Sequence, residues 1–106
     1  MPHCVPMSSP PTRTEALELL RSHWAEIAAF GVQHLDLVGS VARNSAKNDS
    51  DVDCVAEFAG RVTFRQCMGL VAYLHALFGR KVDVMTPESA HPLLRATFAA
   101  EAVRVA

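Results

Sequence analysis

Apolar and polar residues follow two different periods along the chain, and the periods predict its secondary structure. In residues 12–31 and 63–79 apolar side chains recur every three or four positions, which is typical of amphipathic helices. Three shorter segments alternate between apolar and polar residues, as half-buried strands do. These strand-like segments are residues 34–38, 51–58 and 81–86. Pro87 begins another helical pattern, which ends in a short extended piece at "VRV".

The order of these elements predicts a fold class. Helix, strand, turn, strand, helix, strand and helix follow one another, which favours an α/β (α+β) domain. We expect a small mixed sheet with helices packed mainly on one face. The Pro-rich residues 1–11 are expected to form a flexible tail, so the folded domain would span residues 12–106, and Met7 could be an alternative start.

Each long helical pattern carries signals for its beginning and end. Thr12 with Glu15 and Thr63 with Gln66 have the spacing of a capping box, and a glycine follows each pattern. The apolar stripes should face the core, although Trp24 could instead meet a partner. The first stripe is Leu17, Leu20, Trp24, Ile27 and Ala28. The second is Phe64, Cys67, Met68, Val71, Leu74 and Phe78.

Composition and charge narrow the class of protein. The chain has 106 residues, half of them apolar, so it should form one domain that leaves surface for a partner or a second copy. Its formal net charge of -1 makes nucleic acid an improbable main partner. No apolar stretch reaches the ~20 residues of a membrane span, and no signal peptide is recognisable. Three cysteines without C-x-x-C spacing fit a reducing cytoplasm, with Cys54 and Cys67 as core residues.

Three aspartates stand in or beside the apolar strands and need an explanation. Asp51 and Asp53 are two positions apart, so their side chains should share one side of a strand with roughly 7 Å between the Cα atoms. Asp83 lies between Val82 and Val84 in the next strand, and all three carboxylates converge if the strands are neighbours. Converging carboxylates raise each other's pKa unless a cation joins them. We therefore expect Mg²⁺, and two such ions would suit a phosphoryl displacement.

A Gly-Ser pair supplies the complementary half of a nucleotide site. Gly39 closes a strand and allows close backbone approach, while Ser40 and the amides after it could bind a phosphate. Arg43 follows one turn later and could neutralise phosphate charge. Taken singly, each feature has an ordinary structural explanation: a turn, a helix cap, a surface strand residue or a solvated arginine. Their combination in this order favours a metal site that holds a nucleoside triphosphate.

The stretch "VGSVARNSAKNDSDVDCVAEF" resembles the G-S-x-A-R-G…S-D-x-D signature of the minimal nucleotidyltransferases, the smallest members of the polymerase β-like superfamily. The resemblance extends over nearly the whole chain, because "KVDVMT" falls where the family has its third aspartate. Asn44 replaces a glycine that often follows the arginine, and asparagine tolerates left-handed backbone angles well.

The resemblance implies a role for each matching residue. Gly39 and Ser40 would bind the triphosphate, with Arg43 and Ser50 beside them. The metals would be held by Asp51, Asp53 and Asp83. Asp83 would also help to activate the attacking hydroxyl.

The resemblance also implies an activity and a partner. Minimal members transfer AMP from ATP to a hydroxyl, and many stand beside an all-helical HEPN ribonuclease as its antitoxin. The leading hypothesis is therefore a protein adenylyltransferase that modifies a tyrosine of a HEPN toxin. Two alternatives stay open: a module that neutralises its partner by occlusion alone, and a small-molecule nucleotidyltransferase of the antibiotic-modifying type. The sequence does not decide whether the chain also pairs with itself.

Overall fold

The structure, a computed structural model, describes residues 10–47, 50–87, 96 and 100–106. The predicted tail up to residue 9 and most of the predicted final helix lie outside the described residues. Within them the chain forms the following helices and strands. They are α1 (Arg13–Ser22), α2 (Trp24–Ala28), β1 (Val32–Val38), α3 (Gly39–Ala42), β2 (Val52–Phe58), α4 (Phe64–Phe78), β3 (Val82–Met85) and β4 (Val103–Arg104).

The four strands form one mixed sheet in the order β3-β2-β1-β4. β2 pairs with β1 in the antiparallel sense and with β3 in the parallel sense, while β4 pairs antiparallel with the other side of β1. The parallel pair is joined through α4, which is the long crossover that parallel strands need. The predicted mixed α/β fold is thereby confirmed.

One face of the sheet carries the main core, and the register of the strands explains which residues lie on each face. Leu35 lies opposite Ala56 and Leu37 opposite Cys54, so the four side chains point to the same side. All four are completely buried, and they pack in one core with Leu20 of α1 and residues of α2 and α4. The alternate residues of β1, β2 and β3 point to the opposite face.

The first helical pattern was predicted as one helix, and this prediction was wrong, because the helix breaks at His23. A continuous helix would pair the His23 N–H with the Leu19 carbonyl, but that oxygen instead meets Ser22 Oγ at 3.0 Å and His23 Nδ1 at 2.9 Å. Side-chain bonds of this kind compete with the helical ladder. The capping box of Thr12 and Glu15 is confirmed at the helix start.

The predicted apolar stripe of α4 is only partly correct. The capping box of Thr63 and Gln66 and the glycine after the helix, Gly79 with φ of 66°, are confirmed. However, Phe64 is 80% exposed and Met68 is 47% exposed, so the first turns of α4 present apolar side chains to solvent. The residues that α4 buries are Leu70, Leu74 and Phe78. The buried residues therefore lie in the later turns of α4, which pack against the core.

The cysteines and the helix lengths complete the description. Cys54 is a buried free thiol in the core, as predicted, whereas Cys67 is only partly buried. Burial raises the pKa of the Cys54 thiol to about 12, which makes it a packing residue without nucleophilic chemistry. Among the described residues no helix is long and apolar enough to cross a membrane.

Candidate active site

Two of the predicted aspartates face each other across the parallel strand pair. Asp53 of β2 is in register with Asp83 of β3, and both residues are partly buried on the sheet face opposite the main core. On the other side of β2, Asp53 lies opposite Val38, the last residue of β1. The sequence predicted this convergence on the condition that the two strands were neighbours, and the pairing of β2 with β3 meets that condition.

The third aspartate joins the pair through a lysine. Asp51 lies just before β2, and Lys81 just before β3, at the same end of the sheet. Lys81 Nζ is 3.8 Å from Asp51 Oδ2 and 3.8 Å from Asp83 Oδ1. The ammonium group therefore bridges two carboxylates of the cluster. No sequence signal assigned Lys81 to the site, although it directly precedes the "VDV" of β3.

Asp53 is the carboxyl group of the cluster whose charged form is clearly disfavoured. Its pKa is raised to about 6, first because burial disfavours the charged form and then because of the negative charges of Asp83 and Asp51. A hydrogen bond with Asp83 and the charge of Glu101 raise it further. Although Lys81 bridges its two neighbours, the environment of Asp53 still lacks positive charge.

A tight turn after β1 brings the backbone against this cluster. Gly39 begins α3 with φ of 77°, a left-handed conformation that glycine adopts without strain. A methyl group added at Gly39 would collide with Asp53 Oδ2. Gly39 is thus required twice, by its own backbone angle and by the carboxylate beside it. Asn44 ends the turn with φ of 61°, as its tolerance for left-handed angles predicted.

Glu101, which the sequence did not single out, is hydrogen-bonded to both ends of this turn. Glu101 Oε1 accepts a hydrogen bond of 3.2 Å from the Gly39 N–H, and Glu101 Oε2 accepts one from Arg43 Nη1. The carboxylate is nearly buried, with a 12% exposed side chain. Arg43, predicted as a phosphate ligand, therefore pairs with Glu101. Glu101 lies just before β4, and only the pairing of β4 with β1 brings it to this turn.

The two predicted serines differ in their surroundings. Ser40 follows Gly39 in α3 and is partly exposed beside the cluster. Ser50 shapes the loop before Asp51, since its hydroxyl accepts a 2.8 Å hydrogen bond from the Lys47 N–H and its carbonyl accepts one from Arg80 Nη1. Ser50 therefore positions the start of the Asp-x-Asp segment.

The donor set suits hard divalent cations, although the cluster is not preassembled for one. Nowhere in the described ranges do three or more His, Cys, Asp or Glu side chains already surround a possible ion position. Lys81 lies between Asp51 and Asp83, and Asp53 is in register with Asp83. Carboxylate oxygens are the ligands that Mg²⁺ prefers, and a bound cation would offset the burial and the neighbouring negative charges that raise the pKa of Asp53. The three aspartates thus fit a divalent cation.

Relatives of the chain share both its sequence and its fold. The sequence pattern of the nucleotidyltransferase domain matches residues 14–105. The protein adenylyltransferase MntA of Thermococcus cleftensis is 34% identical over 95 residues, which are 89% of this chain and 96% of that protein. A solved structure of a minimal nucleotidyltransferase superposes with a TM-score of 0.69 at 32% identity, covering 82% of this chain and 93% of the other.

A more distant structure shares the fold alone. It is the complex of a tri-AMPylated Shewanella oneidensis HEPN toxin with an MNT antitoxin, with a TM-score of 0.63 at 16% identity, covering 85% of this chain and 71% of the other. The match over residues 14–105 and the identity to MntA rest on nearly the whole chain rather than on one motif. The chain therefore belongs to the nucleotidyltransferase domain family, among its minimal members.

Proposed function

We propose that this chain transfers AMP from ATP to a hydroxyl of a protein, and that the acceptor is a tyrosine of a cognate HEPN-type toxin. The observation that carries the proposal is the pairing of Asp53 with Asp83 beside the Gly39 turn. The aspartates predicted to hold the metal thereby lie in contact, through Asp53, with the Gly39 turn that is predicted to bind phosphate. The similarity to MntA, a protein adenylyltransferase, supports a protein acceptor.

The proposed roles follow the positions of the side chains. Gly39, which lacks a side chain, lets the backbone of the turn lie directly against Asp53, and Ser40 offers its hydroxyl as a donor. The three aspartates would hold two Mg²⁺ ions, which supply positive charge against the charge that develops on the α-phosphate. Lys81 would leave its carboxylates as the metal binds, because the two cations compete for the same oxygens.

The proposed reaction is a displacement at the α-phosphorus of ATP. The acceptor oxygen forms a bond to the α-phosphorus, the bond to the bridging oxygen breaks, and pyrophosphate leaves. The proton of the acceptor hydroxyl would pass to Asp83, whose side chain is 43% exposed on the edge strand β3. This exposure would let a hydroxyl of another protein approach the carboxylate.

The experiment that tests this function is the transfer of label from ATP carrying a labelled α-phosphate to the HEPN-type partner, in the presence of Mg²⁺. We expect label on the partner, and none with the Asp51→Asn/Asp53→Asn double variant or with EDTA. Mass spectrometry would place the AMP group on a tyrosine. Tight and neutralising binding without any label would contradict the proposal and would favour neutralisation by occlusion.

The small-molecule alternative requires a different observation. Enzymes that modify antibiotics normally carry an additional helical domain that holds the acceptor. The described residues form one sheet with its helices and include no such additional domain. Label transfer to an aminoglycoside with no transfer to the partner would favour that alternative.

A further inference from the structure

We propose that Glu101 is a positioning residue that holds the nucleotide-binding turn in shape, where the turn is residues 39–43. The inference rests on the proposed function, because it concerns the binding of ATP at that turn. Glu101 contacts the turn at both of its ends, through Gly39 and through Arg43. Both oxygens of its carboxylate are thereby engaged by the turn.

The contacts of Glu101 span a helix that is too short to stabilise itself. α3 has only four residues, and its first residue has a left-handed backbone angle. So short a helix is unstable alone, because nucleation costs more than its few hydrogen bonds return. One carboxylate oxygen satisfies the N–H of Gly39 and the other holds the guanidinium of Arg43 just after the last helical residue. The turn is thereby clamped between two charge-assisted hydrogen bonds.

The clamp is itself anchored to the sheet. Only Ala102 separates Glu101 from β4, and Val103 of β4 pairs with Leu37 of β1. The Val105 N–H donates a 2.8 Å hydrogen bond to the Leu35 carbonyl. Because β1 also leads directly into Gly39, the strand fixes both the start of the turn and the glutamate that holds it.

A second anchor comes from α1. Arg21 Nε donates to the Val105 carbonyl at 3.0 Å, and Arg21 Nη2 donates to the Arg104 carbonyl at 2.9 Å. Arg104 also pairs with Asp36 of β1. The backbone after Glu101 is thus held from two sides, which limits how far the carboxylate can withdraw. Glu101 acts as a fixed support for the turn and not as a mobile anion that ATP displaces.

The pairing also changes the role of Arg43. Its charge is neutralised by Glu101, so Arg43 contributes less to phosphate binding than a free arginine would. The Gly39 N–H is likewise already satisfied. ATP affinity should then depend on the shape of the turn and on Ser40, and removing Glu101 should weaken binding even though it removes a negative charge from an anion site.

The test is whether replacing Glu101 weakens or strengthens the binding of ATP. The variants are Glu101→Ala, which removes both bonds, and Glu101→Gln, which keeps an acceptor for the Gly39 N–H but loses the ion pair with Arg43. Glu18→Ala, at an exposed glutamate of α1, is the matched control. The dissociation constant of Mg·ATP would be measured by calorimetry, and amide hydrogen exchange of residues 39–43 would be measured by NMR in the ligand-free chain.

We expect Glu101→Ala to weaken Mg·ATP binding by about tenfold, the effect of losing roughly one charge-assisted hydrogen bond. Exchange of the Gly39 amide should accelerate in Glu101→Ala and stay close to the wild-type rate in Glu101→Gln, while Glu18→Ala changes neither quantity. In steady-state assays KM for ATP should rise with kcat little changed, because the turn binds the nucleotide and does not move a proton.

Two results would overturn the inference. Tighter ATP binding in Glu101→Gln would show that the carboxylate competes with the nucleotide, and unchanged binding with unchanged Gly39 exchange would show that it does not hold the turn. If the wild-type chain bound no ATP, the proposed function would fail and this inference with it. If only the Glu101 variants departed from expectation, the proposed function would stand.

Discussion

At the scale of single residues, the site combines groups that destabilise one another. Asp53 is pressed against Asp83, and its pKa is raised to about 6 by burial and by the surrounding carboxylates. Gly39 adopts a left-handed angle at the point of contact with Asp53. Such local costs are common at functional sites, where the surrounding fold maintains them. Two predictions concern these residues.

The first prediction is that Asp53 makes the metal-free protein less stable as the pH rises. Its pKa of about 6 in the folded chain lies above the ordinary value of 3.8, so between those values the folded state binds more protons than the unfolded state. Stability due to Asp53 is complete below pH 3.8 and is lost as the pH rises through 6. Asp53→Asn should therefore melt a few degrees above wild type at pH 7.5 in EDTA, with the difference vanishing near pH 4.

Thermal melts of wild type, Asp53→Asn and the surface control Glu18→Gln would be recorded from pH 4 to pH 8. A metal-free Asp53→Asn variant that melted below wild type at pH 7.5 would contradict the electrostatic explanation.

The second prediction is that Gly39 tolerates alanine far less than Gly60, which has almost the same backbone angle. Gly39 has φ of 77° and Gly60 has φ of 76°, but among the described residues other than its chain neighbours no atom lies within 4 Å of a methyl group added at Gly60. Gly60→Ala should cost only the left-handed angle, about 1–2 kcal/mol. Gly39→Ala adds the collision with Asp53 and should cost roughly 3 kcal/mol in total. Urea unfolding of both variants measures the difference, and equal losses would contradict it.

At the scale of elements, the caps of the helices and the register of the strands fix the site. α4 begins at a capping box and ends at a left-handed glycine, and it connects β2 to β3. Gln66 also joins α4 to the end of the first helical region, since its Nε2 donates to the Phe30 carbonyl at 3.3 Å. The start of α4 therefore helps to fix the crossover that places Asp83 beside Asp53.

The third prediction concerns this helix start. Thr63 Oγ1 accepts a 3.1 Å hydrogen bond from the Gln66 N–H. Thr63→Ala should reduce the free energy of unfolding by about 1 kcal/mol because the bond is lost, whereas Thr63→Ser keeps the hydroxyl and should cost only a few tenths. Urea unfolding of the two variants provides the comparison. A loss from serine as large as that from alanine would mean that packing of the threonine methyl matters instead of the cap.

At the scale of the whole molecule, the core and the candidate active site lie on opposite faces of the sheet. One face is buried under α1, α2 and α4, and the other carries the partly buried pair of Asp53 and Asp83. The exposed Phe64 and Met68 lie at the start of α4 and leave apolar surface uncovered. In so small a domain, a ligand that binds the folded state alone should have a visible effect on unfolding.

The fourth prediction follows from that linkage. Mg·ATP at one hundred times its dissociation constant should stabilise the folded chain by about 2.7 kcal/mol, which corresponds to several degrees in Tm. The Asp51→Asn/Asp53→Asn double variant should show no such shift, since it lacks two of the three carboxylates that we propose to hold the metal. Differential scanning fluorimetry with ATP alone, Mg²⁺ alone and both together separates the contributions. An equal shift in the double variant would mean that nucleotide binds elsewhere.

The sequence by itself determined most of the helices and strands and the side of its strand on which each aspartate lies. The two capping boxes and the left-handed glycines at the ends of elements depend on local physics, and the structure bears them out. Asp53 and Asp83 could be assigned to one face because alternation along a strand fixes the side of every residue. The break at His23 could not be foreseen, since it depends on side-chain bonds to one carbonyl.

Only the tertiary structure decided which distant residues complete the site. Glu101 reaches the 39–43 turn because β4 pairs with β1, and Lys81 bridges Asp51 and Asp83 because β2 and β3 run parallel in that register. Likewise, α4 buries Leu70 and Leu74 and exposes Phe64 because only its later turns lie over the sheet. Local periodicity specifies the direction of a side chain within its own element, whereas the partner it meets depends on long-range pairing.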